Sequence, residues 1–308
     1  MASRTGSTLP LVPAAAFVLV WSSGYISGPA AVHAAAPFSV LGWRFVIAAV
    51  LAAGLALALR RPTPMDRATL GRVAAVGLVM NALMFGMMYV AFDLGLGATL
   101  ASLFHALSPV LTALLAALLL GERISALQVG GFVVGVVGVL IVLGSDLGHA
   151  GGPVAVLIGC LSMLTLSLGT LGQRWIGAQP DLLWSAAVQF AVSAPPLVVL
   201  GWTTEGAWPV TDGRQTLVAV LFLAVVNSII GLVLLSLLVL RGGSGAAASL
   251  FFLCPPVTAV LAWLVLDETL SLTQLVGLVV AVVGVGAATR TRRAPAPAQD
   301  VDEAVGTQ

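Results

Sequence analysis

Ten apolar runs, each about 20 residues long, follow one another along this chain and constrain its fold more than any other feature. Hydrophobic residues make up 59% of the 308 positions and charged residues only 8%, which excludes a water-soluble globular protein of this length. A helix that crosses a bilayer needs runs of this size. The sequence therefore predicts ten membrane-spanning helices, at residues 11–32, 38–59, 71–92, 98–120, 125–144, 152–173, 181–201, 216–240, 245–266 and 271–289.

The connections between these runs are short, and no soluble catalytic or signalling domain fits into them. Only residues 291–308, rich in alanine and proline and then acidic, have the composition of a disordered tail. The first run could also be a secretory signal peptide. Its removal would leave nine spans and break the repeat described below, so we interpret it as an uncleaved helix.

All 13 basic residues are arginines, and their positions predict the orientation of the chain. Cytoplasmic loops of membrane proteins carry an excess of arginine and lysine. If the N-terminus is cytoplasmic, only Arg214 falls in an outer loop and Arg44 within a helix, while the other arginines lie on the cytoplasmic side. We therefore expect both termini, and the 291–308 tail, in the cytoplasm. Arginines distributed in this way do not form a nucleic-acid-binding patch.

Residues 101–139 match a second part of the chain when they are shifted by 146 positions without a gap. The matched pairs include Ala101 and Ala247, Leu107 and Leu253, Pro109 and Pro255, Thr112 and Thr258, Glu122 and Glu268, Gly131 and Gly277, and Gly138 and Gly284. A duplication explains the single offset and predicts two repeats, residues 1–146 and 147–290. Because each repeat has five helices, an odd number, the second copy crosses the membrane in the opposite direction. The predicted fold is an all-α membrane protein with an inverted-topology repeat.

Two similar bundles of opposite orientation can exchange conformations and expose one midplane cavity to either side in turn. The repeat therefore favours a secondary transporter that works by alternating access. An intramembrane enzyme acting on lipid is an alternative, but the chain has no H-E-x-x-H or D-D-x-x-D motif and its three histidines are scattered. A channel or a sensor is another alternative. No phosphate-binding loop is present for an ATP-driven pump, and we expect no metal, cofactor or catalytic residue.

Two repeated local patterns predict details of the helices. The segments Ser125–Gln128 and Ser271–Gln274 both have the S-x-x-Q spacing of a capping box at the start of a helix. Gly131 and Gly135 have the G-x-x-x-G spacing that lets two helix backbones approach closely in lipid.

The chain resembles the EamA-type members of the drug/metabolite transporter superfamily over essentially its whole length. The residues that carry this resemblance are Leu107-Ser108-Pro109 with Gly121-Glu122-Arg123, Leu253-Cys254-Pro255 with Asp267-Glu268-Thr269, and Trp43-Arg44-Phe45. Asp267 stands where the family usually has glycine, and Pro256 adds a second proline. The resemblance implies a permease of a bacterial inner membrane that exports or imports amino acids, related metabolites or drugs. Such transport would be driven by a proton gradient or by the substrate's own gradient.

Polar and ionisable side chains near the middle of a membrane helix are costly when unpaired, so they are candidates for the functional site. Arg44 lies roughly 10 Å from the outer end of its helix. It could bind a substrate carboxylate, or form a structural ion pair or a hydrogen bond to the backbone. His105 could carry a coupling proton because histidine titrates near neutral pH, or it could form a hydrogen bond between helices.

Two further pairs of residues are predicted to line the cavity. Trp21 and Tyr25 share one helix face at i and i+4 and lie too deep for the aromatic belt at the membrane surface, so they could stack on an organic substrate or a cation. Met84 and Met88 offer an adaptable apolar wall, and core packing is their alternative role.

Three amides, at Asn81, Gln189 and Asn227, lie near the centres of helices and could either line the cavity or join helices by hydrogen bonds. Glu122 and Glu268 come just before predicted helix starts, where the helix dipole favours a carboxylate, and are further candidates for proton coupling. The expected partners are a small-molecule substrate, the lipid bilayer and protons. The sequence leaves a monomer and a homodimer open.

Overall fold

The computed structural model describes residues 10–62, 65–122, 124–144, 150–176, 180–206, 210–235, 237, 238, 241 and 250–288. Over these residues the chain forms ten helices. They are α1 (Leu11–Ala34), α2 (Pro37–Ala58), α3 (Arg67–Asp93), α4 (Ala98–Leu120), α5 (Ala126–Leu143), α6 (Gly152–Ile176), α7 (Leu182–Glu205), α8 (Gly213–Leu235), α9 (Leu250–Leu266) and α10 (Leu272–Ala288). The predicted tail, residues 291–308, and the first five residues of the predicted ninth helix lie outside the described residues.

Helices α1 to α8 are each long and apolar enough to cross a membrane, and the described parts of α9 and α10 are shorter apolar helices. Large apolar side chains such as Leu118, Val260 and Leu272 are exposed on the surface of the bundle, as expected where lipid is the solvent. The described part of α9 begins with the 3₁₀ turn Leu250–Leu253 and continues as an α-helix from Cys254. The second proline, Pro256, therefore falls in the first α-helical turn, where proline is tolerated.

Helix packing follows the predicted repeat. The equivalent helices α2 and α7 pack against each other, as do α5 and α10, and the contact of α1 with α9 is repeated by the contact of α6 with α4. Both copies of the fourth helix end in the same way, because Gly121 and Asp267 adopt left-handed backbone conformations and donate to the carbonyls of Ala116 and Ala262. The predicted fold of ten helices in two inverted five-helix repeats is confirmed.

The predicted capping boxes are both present. The amides of Ser125 and Ser271 donate to the Oε1 atoms of Gln128 and Gln274, at 2.9 and 2.8 Å. In return, the serine hydroxyl oxygens accept from the backbone amides of the two glutamines, at 3.2 and 3.3 Å. The capping boxes therefore supply hydrogen-bond acceptors for backbone amides at the start of α5 and α10 from within the same segment.

Glycines bring α5 and α10 into backbone contact, as the G-x-x-x-G spacing predicts. A Cβ atom placed on Gly131 would lie 2.6 Å from both the amide nitrogen of Ala288 and the carbonyl oxygen of Gly284. Gly138 faces the backbone of Ala281 in the same way. This crossing joins the last helix of one repeat to the last helix of the other.

Two π-helical segments interrupt α3 and α8 at equivalent positions. They span Leu78–Leu83 and Leu223–Ile230, and each contains one of the predicted amides, Asn81 or Asn227, 146 residues apart. Wide turns of this kind occur frequently at functional sites.

The end of the bundle where α1 ends and α2 begins, called here the α1–α2 end, is held by contacts between the repeats. The Thr211 amide donates to the Ala34 carbonyl at 2.9 Å, beside an isolated antiparallel bridge between Ala35 and Val210. The Glu205 carboxylate accepts from the first amides of α2, at 2.7 and 2.9 Å. At the opposite end, Arg61 pairs with Asp181 at 3.9 Å.

Candidate functional site

A small cavity lies between the two repeats. Its volume is about 60 Å³, which is room for a few water molecules and well below the roughly 300–1,000 Å³ of a typical small-molecule site. The structure brings seven of the nine predicted substrate-binding residues to its walls: Trp21, Tyr25, Arg44, Met84, Met88, His105 and Asn227. A substrate would need the surrounding helices to move apart.

Arg44 is a cation buried in the wall of this cavity, with only 4% of its surface exposed. Its Nε donates to Ser228 Oγ and its Nη1 to the Tyr89 hydroxyl, both at 3.2 Å. The guanidinium also lies 4.3 Å from the centre of the Phe85 ring. Among the described residues no carboxylate lies within ion-pair distance of it. Because a guanidinium has five N–H donors, three of those of Arg44 are left without a hydrogen bond to any described residue.

His105 joins four helices through a chain of hydrogen bonds. Its Nδ1 lies 3.0 Å from the Tyr25 hydroxyl and its Nε2 lies 3.0 Å from Ser162 Oγ. Ser162 in turn donates to the Met84 carbonyl at 2.9 Å. A carbonyl can only accept, so Ser162 donates to Met84 and its oxygen accepts from Nε2–H of His105. When His105 is neutral, its Nδ1 accepts from the Tyr25 hydroxyl. Every member of the chain is then satisfied.

The two predicted amides of the π-helical segments have different surroundings. Asn227 lines the cavity, and its Nδ2 donates to the Val20 carbonyl at 2.6 Å. Asn81 is buried but does not line the cavity. Gln189 is also outside it, and its Nε2 donates within its own helix to Ser185 Oγ at 3.2 Å.

The aromatic and methionine walls give the cavity its apolar side. Trp21 packs edge-on against Phe251, with ring centres 4.8 Å apart. Met84 and Met88 are 3% and 2% exposed, so both are part of the packed core as well as of the cavity wall.

The carboxylate of Glu268, which comes just before α10 in the sequence, caps α4 of the other repeat. Its oxygens accept from the amides of Ala98 and Thr99, at 3.0 and 3.2 Å. The left-handed turn at Asp267 redirects the chain, which brings the side chain of Glu268 to the neighbouring helix. Glu122 is exposed at the opposite end of the bundle.

The polar groups of the cavity come mainly from the first repeat. The residue equivalent to Arg44 in the second repeat, 146 positions later, is Phe190, which stacks on Phe45. The residue equivalent to His105 is Phe251. The second repeat contributes Asn227, and Ser228 behind it. The cavity is therefore asymmetric although the backbone fold is repeated.

Three side chains that form hydrogen bonds with Arg44 or His105 were not predicted from the sequence. Tyr89 had a usable signal, because it is one of only two tyrosines in the chain and lies within an apolar run. Ser162 and Ser228 had none, because single serines occur in many of the runs and only the packing of the helices brings these two to His105 and Arg44.

A larger groove of about 530 Å³ opens at the surface between α1, α8 and α9. Its walls are apolar, and its mouth carries Asp212 and Arg214. The Ser23 and Ser27 hydroxyls in this groove donate hydrogen bonds to backbone carbonyls of α1. Since polar groups do not converge in this groove, we assign the functional site to the smaller cavity.

An inverted repeat around a cavity between its two halves is typical of the class of polytopic membrane transporters. Residues 9–144 and 153–290 each match the EamA-like transporter family. The chain belongs to this family, and it is a multi-pass membrane protein.

Three curated relatives are similar to most of the chain. An "Uncharacterized transporter YvbV" of Bacillus subtilis is 26% identical and covers 87% of the chain and of its own length. A "Probable amino-acid metabolite efflux pump" of Escherichia coli is 27% identical over 87% of the chain and 90% of its own length. A "Probable terminal-alkyne amino-acid exporter" of Streptantibioticus cattleyicolor is 29% identical over 78% of both.

One solved structure, titled "Crystal structure of protein", shares the fold. It is 20% identical, superposes with a TM-score of 0.66, and covers 93% of this chain and 97% of that one.

Proposed function

We propose that the protein is a secondary transporter that exports small metabolites bearing a carboxylate, amino acids above all and drug-like organic acids in addition, by alternating access around the central cavity. The observation that carries this proposal is the buried Arg44 guanidinium, which lines the cavity and has no carboxylate partner among the described residues. The names of the relatives from E. coli and S. cattleyicolor support amino acids and export.

A buried cation without a counter-charge is costly, by several kcal/mol in proteins. The ring of Phe85 and the hydroxyls of Tyr89 and Ser228 offset part of that cost for Arg44. A substrate carboxylate would offset the rest, because guanidinium and carboxylate form paired, charge-assisted hydrogen bonds. The remaining N–H groups of Arg44 suit such a pair.

Proton coupling is assigned to His105. In the neutral form its Nδ1 accepts from Tyr25. A proton added at Nδ1 would make that atom a donor, so the Tyr25 oxygen would have to accept and its O–H would turn to another partner. Because Tyr25 lines the cavity, protonation of His105 would change the hydrogen bonds offered to a substrate. Glu122 and Glu268 are weaker candidates, since Glu268 is engaged as a helix cap.

The arginine distribution supports cytoplasmic termini in a bacterial-type inner membrane, which would make the α1–α2 end the outer end. Release of a substrate to the outside would then require separation of Thr211 from Ala34 and of the Glu205 and Glu268 carboxylates from their helices. Loading from the cytoplasm would require separation of Arg61 from Asp181.

The test uses liposomes that contain the purified protein and an internal pH-sensitive dye. Amino acids, other carboxylates, amines and toxic organic cations are supplied with and without an imposed proton gradient. We expect saturable flux of carboxylate substrates, with proton movement in the same assay.

Three variants test the site assignment. Arg44→Met removes the charge at similar length and should abolish carboxylate flux, whereas Arg214→Met removes an arginine outside the cavity and should not. His105→Ala should leave substrate flux but uncouple it from protons. Undiminished carboxylate flux in Arg44→Met would refute the site, and ion conductance without saturation would indicate a channel.

A further inference from the structure

The side-chain oxygen of Asn227 is a buried hydrogen-bond acceptor that has no donor among the described residues. Its orientation is fixed, because Nδ2 donates to the Val20 carbonyl at 2.6 Å and approaches Ser23 Oγ at 3.4 Å. If Oδ1 and Nδ2 exchanged places, Oδ1 would lie 2.6 Å from the Val20 carbonyl oxygen, and two acceptors cannot form a hydrogen bond. Buried polar atoms in proteins are nearly always paired, so an unpaired one in a cavity wall needs an explanation.

The surroundings keep Asn227 in this position. Gly24 on α1 faces the amide, and a Cβ atom at Gly24 would lie 3.0 Å from Nδ2. Asn227 lies in the π-helical segment of α8 next to Ser228, which holds the Nε of Arg44. Asn227, whose Oδ1 has no donor among the described residues, and Arg44, which has no carboxylate partner among them, therefore line one cavity. Ser228, the neighbour of Asn227 in α8, links the two through its hydrogen bond with Arg44.

We propose that Asn227 Oδ1 accepts a hydrogen bond from the α-ammonium group of a substrate whose α-carboxylate binds Arg44. This inference rests on the proposed function, since it needs the cavity to be the transport site. The α-carboxylate of a zwitterionic amino acid is opposite in charge to the Arg44 guanidinium, and its α-ammonium group is a hydrogen-bond donor that suits the acceptor Asn227 Oδ1. Asn227 is then the residue that separates amino acids from carboxylates that lack the amine.

The rest of the wall fits the remainder of such a substrate. The Trp21 and Tyr25 rings line the cavity and can face the other N–H groups of an ammonium. Met84, Met88 and Phe92 form an apolar wall that suits an apolar amino-acid side chain. The substrate class assigned by the cavity is therefore an apolar α-amino acid.

The experiment compares three probes of nearly equal shape: leucine, 4-methylpentanoate, which lacks the amine, and 3-methylbutylamine, which lacks the carboxylate. Their binding to purified protein is measured by calorimetry, and their competition is measured in liposome flux. Wild-type protein should prefer leucine over either analogue by about 10- to 100-fold, the range expected for one hydrogen bond to a charged group. A wild-type protein that binds leucine and the acid equally would overturn the Asn227 inference and leave carboxylate transport standing.

Asn227→Leu should lower the affinity for leucine to that of the acid and leave the affinity for the acid unchanged. The matched control is Asn81→Leu, which removes the equivalent amide from the other π-helical segment and should keep the wild-type ratio. Equal weakening of leucine and the acid in Asn227→Leu would overturn the inference. Absence of binding and flux for all three probes in wild-type protein would overturn the assignment of an apolar α-amino acid. The proposed function would fall with it only if the wider screen also showed no carboxylate flux.

A second variant, Asn227→Asp, tests the same contact if Asn227→Leu does not fold. Asn227→Asp retains the oxygen and adds a negative charge, so it should raise binding of the amine relative to the acid at least about tenfold. An unchanged ratio of amine to acid in a folded Asn227→Asp protein would contradict the proposed contact.

Discussion

Neighbouring glycines in α5 allow a matched test of the packing between the two repeats. Gly131 faces α10, and a Cβ atom there would lie 2.6 Å from backbone atoms of Ala288 and Gly284. Gly130 is exposed, and a Cβ atom there would meet nothing within 4 Å. Replacement of either glycine by alanine gives the same gain in helix propensity, about 1 kcal/mol. The difference between the two variants therefore isolates the contact with α10.

Ordinary contact begins at 3.4 Å, so the Gly131→Ala methyl would have to push α5 and α10 apart by about 0.8 Å, and overpacking of this kind costs about 1–3 kcal/mol. Because the obstacle is backbone, it cannot rotate away as a side chain could. We expect Gly130→Ala to be neutral or stabilising and Gly131→Ala to be less stable than Gly130→Ala by about 1–3 kcal/mol.

The free energy of unfolding is measured by titration with SDS in mixed micelles, followed by far-UV circular dichroism. Both variants are compared with wild-type protein in one detergent, since micelle composition changes the unfolded state. Equal stabilities for the two alanine variants would refute the close helix crossing, and with it the contact that joins the ends of the two repeats.

Two further changes test local features. Asp267→Gly should raise the free energy of unfolding by about 1 kcal/mol. Asp267 has a φ of +54°, and a left-handed backbone is costly for residues other than glycine. An unchanged or lower free energy of unfolding in the same SDS titration would contradict this expectation. Glu268→Ala should lower stability by about 1–2 kcal/mol through loss of the α4 cap, and Glu268→Gln by about half as much, because Gln keeps one acceptor oxygen. Loss of proton coupling in Glu268→Gln at unchanged stability would instead assign the coupling to this carboxylate.

The helices and the repeat could be predicted from the sequence because lipid imposes simple rules. Each span must be long and apolar, and a duplicated chain keeps its glycines and capping residues at one offset, as Gly131 and Gly277 do. The ends of helices were harder to predict. Helix α3 begins at Arg67, four residues before the predicted span, because Asp66 caps it by accepting from the Thr69 amide. Hydrogen bonding from Thr69 also lowers the pKa of the Asp66 carboxyl.

The candidate site was predicted in part, because burial of a polar side chain in lipid is itself a signal. That signal identified Arg44, His105 and Asn227, which meet at one cavity. It also selected Gln189, which lies outside the cavity and donates to Ser185 of its own helix. Which polar residues converge depends on the rotation of each helix, and a π-helical segment changes that rotation without a mark in the sequence.

Alternating access requires the two ends of the bundle to open in turn around the cavity. A disulfide across the bridge between Ala35 and Val210 tests it most directly, because residues paired in this way are close enough for a cross-link. The variant carries Ala35→Cys and Val210→Cys, with Cys160 and Cys254 replaced by alanine. Flux of a substrate carried by the wild-type protein is measured in liposomes before and after reduction of the disulfide. We expect the oxidised protein to be inactive and to regain flux on reduction. Undiminished flux in the fully oxidised protein would contradict alternating access.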